Sequence, residues 1–309
     1  MNSSTRAGLS TDLPPPFWLK NRQGMRLAVS EYPAPRPWLH LVVSHGFGEH
    51  RGWYHHVAGA LREQGISTYT FDHFHHGISD GRPTDIPAFG VLTEGLRLVL
   101  EQGVGPRLSP GAPLALLGHS NGGLAVIRAL GELPAGQISC VVLSNPLLGL
   151  PLRTTLWGAA LAGVLGLFAP RLRLPTRPVP ERLTGDSTIW PDYDRDPYRF
   201  RSISVRFFKA MLFAAHTAYW EANCQGLPLL LLCGERDSVV DRFATRNWFA
   251  RLESERKKLI AYPTLRHELL NEREWGLVVA DIVAWLKQLP APGGRGSPAP
   301  GGHAAAEEG

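Results

Sequence analysis

Residues 114–130 read LALLGHSNGGLAVIRAL: an apolar run, a small polar knot, and a second apolar run at helical spacing. No other stretch of the 309-residue chain restricts its fold as strongly. The first run suits a strand buried on both faces, because nothing polar interrupts it. The second suits a helix that opens at Ser120. Gly118 and Gly122 flank the serine where strand and helix must pass closely, and side chains there would collide. A buried strand that turns directly into a helix belongs to a parallel sheet with helical crossovers. Ser120 would then stand at the carboxyl end of the sheet, its hydroxyl raised and a helix N-terminus behind it.

The alternation recurs along the chain. RLAVSEY (26–32), LHLVVSHG (39–46), ISTYTFD (66–72), PLALLGHS (113–120), ISCVVLSNP (138–146), LPLLLLCGE (227–235) and KKLIAYP (257–263) read as strands. Helical patterns at 54–65, near 87–103, after Ser120, near 241–253 and within 274–289 separate or follow them. Residues 147–226 break this rhythm. They hold TLWGAALAGVLGLF (155–168), a proline-rich link, WPDYDRDPYRF, and SVRFFKAMLFAAHTAYWEA at helical spacing, with no evident strand. The reading is a core over 16–146 and 227–289, interrupted by a helical cap or lid over 147–226. Residues 1–15 and the Gly/Pro/Ala-rich 290–309 are expected to be disordered.

Charge narrows the partners. Lys and Arg number 32 against 27 Asp and Glu, a net +5, and they are scattered, with no nucleic-acid motif. No nucleic-acid partner is expected. Cys140, Cys224 and Cys233 lie far apart without metal spacing, which suits reduced thiols. The start lacks a secretory pattern and the apolar run 155–168 is too short to span a bilayer, so the expected location is cytoplasmic.

A strand–GHSNG–helix junction presents a serine as a nucleophile. A serine hydroxyl needs a base, and the base needs an orienting acid, in the chain order serine, acid, histidine for this architecture. Beyond residue 235 only His267 and His303 remain, and His303 lies in the tail. His267 follows a strand, where a base should sit. Asp237 is the favoured acid, with Glu235 and Asp241 as rivals; Asp241 reads as the N-cap of the next helix. The oxyanion of an acyl-transfer intermediate requires two donors. The glycine-flanked loop SHGFGEHRGWY (44–54) offers the N–H of Phe47, and the residue after the nucleophile offers that of Asn121.

Four blocks, HGFGEH, DHFHHGISDG, GHSNGG and GERDSVVD with RHELLNE, resemble the monoglyceride lipase and lysophospholipase branch of the α/β-hydrolase fold over roughly residues 20–288. The resemblance implies a mostly parallel eight-stranded sheet flanked by helices, with a helical lid insertion. It implies Ser120 as nucleophile, Asp237 as acid, His267 as base, Phe47 and Asn121 as oxyanion donors, and neither metal nor cofactor. His73, His75 and His76 accordingly read as loop histidines. His75 stands where the branch usually has glycine. Asn121 stands where methionine is common, which would make the acyl pocket more polar.

The substrate implied is a monoacyl lipid ester, a monoacylglycerol or a lysophospholipid, cleaved through an acyl-enzyme. A small-ester esterase or serine peptidase of the same fold is the alternative, and a non-catalytic binding protein a third reading. Leu156, Trp157 and Leu161 of the lid, with Phe207 and Met211, are candidate acyl-pocket residues; Phe208, Leu212 and Phe213 belong to the same stripe. Arg153, Arg171 and Arg173 edge the apolar lid, which suggests peripheral contact with a membrane surface.

Overall fold

The computed structural model describes residues 13–151, 162–176, 179–221 and 224–289. Residues 1–12 and 290–309, and the lid positions Leu156, Trp157 and Leu161, lie outside the described residues.

Eight strands form one sheet: β1 (Phe17–Lys20), β2 (Arg26–Tyr32), β3 (Leu39–Ser44), β4 (Ile66–Phe71), β5 (Leu114–His119), β6 (Cys140–Ser144), β9 (Leu229–Gly234) and β10 (Lys257–Tyr262). Their spatial order is β1-β2-β4-β3-β5-β6-β9-β10. β2 runs antiparallel to both neighbours, and every other pairing is parallel. The central strands β3, β5, β6 and β9 are buried at every position, as their predominantly apolar runs require. Alternate residues feed two cores: Val42, Leu116, Val141 and Leu231 on one face, Val43, Leu117, Val142 and Leu232 on the other.

Helices cover both faces. α1 (His55–Glu63) and α8 (Trp275–Leu286) pack through Val57, Leu61, Val278 and Ile282 on one side. On the other, α2 (Gly90–Leu98), α3 (Ser120–Leu130), α6 (Val205–Glu221) and α7 (Arg242–Arg251) contribute Leu92, Leu124, Met211 and Trp248.

Local departures from the sequence reading have local causes. β1 has four residues, too few for an alternating pattern to stand out. The helix expected near 87–103 is regular only to Leu98, then widens into a π-turn at Val99–Val104. There Gly103 lies against Leu19 and Phe17 of β1.

The segment between β6 and β9 contains more than helices. Besides α4 (Pro180–Leu183), α5 (Trp190–Arg195) and α6, it carries a short antiparallel ribbon of β7 (Arg173–Pro175) and β8 (Ser202–Ser204). Three residues per strand leave no period to read. The Arg173 guanidinium binds the pieces together, donating to Ser202 Oγ at 2.6 Å and to Thr84 Oγ1 at 2.9 Å.

Candidate active site

Ser120 follows β5 and opens α3 with φ of +50°, a left-handed conformation that costs about 1–3 kcal/mol for a residue with a side chain. The surroundings impose it. A Cβ on Gly122 would lie 2.1 Å from the Ser44 carbonyl oxygen, and one on Gly118 would lie 2.6 Å from Gly123 Cα. Both glycines therefore let α3 press onto β3 and β5, and the serine is forced upward at the sheet's carboxyl end.

The loops after β9 and β10 meet it there. His267 Nε2 lies 3.0 Å from Ser120 Oγ, and His267 Nδ1 lies 2.7 Å from Asp237 Oδ2. The other carboxylate oxygen, Asp237 Oδ1, accepts from the N–H groups of Val239 (2.7 Å) and Val240 (3.2 Å). Burial pushes the Asp237 carboxyl toward its neutral form, but the imidazole and those two N–H donors prevail and hold its pKa below the ordinary value. Burial likewise opposes charge on His267, yet Asp237, with Glu268 and Glu49 behind it, raises that pKa above ordinary histidine. The rivals are engaged elsewhere. Glu235 pairs with Arg246, while Asp241 caps α7 by accepting from Phe243 and Ala244 N–H at 2.9 and 3.1 Å.

Phe47 lies in the loop after β3, which runs beside β5. Among the described residues its N–H donates no hydrogen bond. Asn121 is the second residue of α3, so its N–H has no acceptor within the helix. The Phe47 ring rests on Phe207 and His76, with centroids at 5.9 and 6.3 Å. Gly48, at φ of +71°, lets Phe200 approach, and its carbonyl accepts from Phe200 N–H at 2.9 Å.

A cavity of about 410 Å³ opens at Ser120 and His267, and its apolar wall includes Phe47, Leu150, Leu174, Ile203, Phe208 and Met211. Met211 thus faces the space expected of it. Phe207 does not: fully buried, it stands behind Phe47 and supports that residue. Phe213 is exposed on the outer face of α6. The Asn121 side chain lies outside the cavity lining, so it adds no polarity to this wall; its Oδ1 is buried without a partner. His73, His75 and His76 do lie in the loop after β4; His73 and His76 are buried there, packed with His45 under the Phe47 loop, whereas His75 bonds the Arg82 carbonyl. Among the described residues no group of three or more His, Cys, Asp or Glu is arranged to hold a metal.

The sequence matches the family model Hydrolase_4, described as serine aminopeptidase S33, over residues 35–274. It is 30% identical to a monoacylglycerol lipase of Mycolicibacterium smegmatis, over 80% of this chain and 87% of that protein. It is also 30% identical to the monoglyceride lipase of Homo sapiens, over 86% and 88%. The chain belongs to the Hydrolase_4 family, in its monoglyceride lipase-like branch. Solved structures agree in fold. A soluble variant of the Saccharomyces cerevisiae monoglyceride lipase superposes with a TM-score of 0.81 at 22% identity, covering 90% of this chain and 96% of that one. The Paleococcus ferrophilus monoacylglycerol lipase gives 0.75 at 29% identity, covering 84% and 98%.

This serine hydrolase carries a layer of buried charge that the sequence reading left without roles. Glu268, beside His267, pairs with Arg199 from the segment between β6 and β9 and accepts from Tyr193 OH at 2.7 Å. The Arg199 guanidinium also lies over the rings of Tyr193 (4.0 Å) and Trp53 (4.5 Å). Asp196 from the same segment accepts from Trp53 Nε1 at 2.6 Å and meets His50 Nε2 at 2.7 Å. Glu49 accepts from Gly46 N–H and Tyr54 OH at 2.8 and 2.7 Å, and burial together with the Glu268 charge raises its pKa. The His119 ring lies tilted against that of His267 with centroids 4.8 Å apart; burial and the neighbouring His267 hold it neutral, with a pKa lowered to about 3. The only sequence signal for this layer was the GEH of the first block and the HE of the last. Arg199 had none, because its partner lies across the insertion.

Proposed function

We propose that this hydrolase cleaves the ester of monoacyl lipids, monoacylglycerols or lysophospholipids, through an acyl-enzyme on Ser120. The observation that carries the reading is a serine–histidine–aspartate relay, at 3.0 and 2.7 Å, opening onto a cavity of about 410 Å³ with a largely apolar wall. That volume falls within the range of small-molecule sites.

In the proposed reaction, His267 Nε2 takes the Ser120 proton as Oγ bonds to the ester carbonyl carbon. The oxyanion is held by the N–H groups of Phe47 and Asn121, each worth ~100–1000-fold in turnover. The tetrahedral adduct collapses, the alkoxy C–O bond breaks, and His267 returns its proton to the departing alcohol. Water, deprotonated by the same imidazole, adds to the acyl carbon, and collapse of that adduct frees the fatty acid and Ser120. Asp237 keeps the imidazole in the tautomer and orientation these transfers need.

Residues 147–226 act in this reading as the lid. Val164, Leu167 and Phe168 on the helical residues 162–168, and Phe213 and Trp220 on α6, are 62–84% exposed. With Arg171 and Lys209 nearby in sequence, they fit peripheral docking on a lipid surface. Among the described residues no helix is long and apolar enough to cross a membrane. The buried free thiols Cys140, Cys224 and Cys233 suit a reducing, cytoplasmic setting.

An aminopeptidase reading would require a carboxylate free to receive the substrate's ammonium. Both cavity acids are engaged: Glu268 by Arg199, Glu49 by Gly46 and Tyr54. The test is a panel of monoolein, lysophosphatidylcholine, a short p-nitrophenyl ester and an aminoacyl amide, with vesicle co-sedimentation alongside. The lipid esters should turn over fastest, and Ser120→Ala should lower kcat by roughly a million-fold. Preferred cleavage of the amide, or fluorophosphonate labelling that bypasses Ser120, would overturn the reading.

A further inference from the structure

Three loops must hold their mutual positions to better than an ångström for the relay to work, and all three converge on Ser144, the last residue of β6, and the three residues that follow it. Asn145 is buried and takes a left-handed φ of +42°, which asparagine tolerates better than most residues. Its Nδ2 donates to the carbonyl oxygens of His267 (2.7 Å) and Arg266 (3.1 Å). Its Oδ1 accepts from Gly234 N–H at 3.0 Å, the last residue of β9, three positions before Asp237. This pattern fixes the amide orientation, since exchanging N and O would set acceptor against acceptor and donor against donor. The neighbours of Asn145 attach the third loop. Ser144 O meets His119 Nδ1 at 3.1 Å, Leu147 N–H donates to Ser120 O at 3.0 Å, and a Cβ on Gly123 would lie 2.9 Å from Pro146 Cβ.

We propose that Asn145 is a positioning residue for the proposed reaction: its carboxamide joins the loop bearing His267 to the strand end bearing Asp237 and so sets the registry of the relay. The inference rests on the reading of Ser120, His267 and Asp237 given above. Asn145 itself bonds none of their reacting atoms. An apolar residue at this point would leave the Arg266 carbonyl and the Gly234 N–H unpaired and the His267 carbonyl with only the Leu269 N–H at 3.2 Å, and the loops would separate to admit water. The His267 loop has further anchors, Glu268 N–H to Leu183 O at 2.8 Å and Arg266 N–H to Glu272 Oε1 at 2.7 Å. Loss of the amide should therefore loosen the registry without unfolding the chain.

Asn145→Gly separates the two roles of the residue, because glycine keeps the left-handed backbone freely while the amide is lost. Steady-state kinetics on a short p-nitrophenyl ester should show kcat reduced about 10- to 100-fold with KM within about twofold, the range expected for ångström-scale misplacement. The pH profile gives a readout that mere loss of folded protein would not move. His267 must be neutral to accept the serine proton, so kcat/KM rises with pH through its apparent pKa. Asp237, Glu268 and Glu49 raise that pKa, while Arg199 and His119 complete the ionisable surroundings. A misaligned Asp237 stabilises the imidazolium less, and the acid limb should move to lower pH.

Parent-like kcat, or an acid limb unmoved in folded Asn145→Gly, would overturn the inference. Should that variant fail to fold, Asn145→Asp keeps the shape and the acceptor for Gly234 but turns an anion toward two carbonyls. It should show the same loss of kcat, and parent-like turnover there would equally defeat the proposal. The underlying reading fails separately, if the parent enzyme neither hydrolyses the ester nor forms a covalent adduct on Ser120.

Discussion

A methyl group on Gly122 would lie 2.1 Å from the Ser44 carbonyl oxygen and 2.4 Å from that of His45. Both contacts are with backbone, which cannot rotate away as a side chain can. Gly122→Ala must push α3 off the end of β3, and since the Phe47 loop leaves β3 there, stability and oxyanion binding should fall together. The expected loss is about 3 kcal/mol or more in urea unfolding, at the severe end for one added carbon; a loss under about 1 kcal/mol would show that the junction yields. At this scale the sequence was informative where a residue's neighbours in the chain also surround it in space. Gly118, Ser120 and Gly122 are of that kind; chain order pointed to His267 and to an acid among Asp237, Glu235 and Asp241, and the fold brings Asp237 to His267. Asn145 gave no such signal, because its partners Gly234, Arg266 and His267 lie far away in the chain.

The strap formed by residues 196–200 fastens the covering segment at Asp196, Arg199 and Phe200. Arg199 and Glu268 are both buried, so removing one partner leaves an uncompensated charge next to the base. Arg199→Met should cost about 3–5 kcal/mol by chemical denaturation, and Arg199→Met combined with Glu268→Gln should recover most of it. Equal stability of the single and double variants would show that the pair is incidental. Elements like this strap are what the sequence conceals. Long buried strands and amphipathic helices announce themselves by period, and the seven strands read from the sequence all occur. The four-residue β1, the three-residue β7 and β8, and the six-residue π-turn at Val99–Val104 span too few repeats of their period to be recognised, and tertiary contacts rather than propensity maintain them.

Across the whole molecule the buried histidines dominate the response to acid. Burial, reinforced by neighbouring histidines, pushes His45, His76 and His119 down to about 3, and His73 well below its ordinary value. In the unfolded chain each would bind a proton near pH 6.5, so below that pH unfolding takes up protons that the fold refuses. Their contribution is intact above about pH 6.5 and declines as pH falls toward the folded values. His267, whose pKa is raised, acts in the opposite sense and offsets part of this. Unfolding free energy should therefore drop steeply between about pH 6.5 and 4, before most carboxylates titrate; a flat profile there would mean that these rings are hydrated in solution. The Arg199–Glu268 pair also sets a condition on redesign. Exchanging residues 147–226 for another cover leaves the sheet and its three loops behind as a socket, but a socket with an anion already seated beside the imidazole. Any graft must deliver its own cation to that spot, so compatible covers are sorted by one buried counterion before they are sorted by shape.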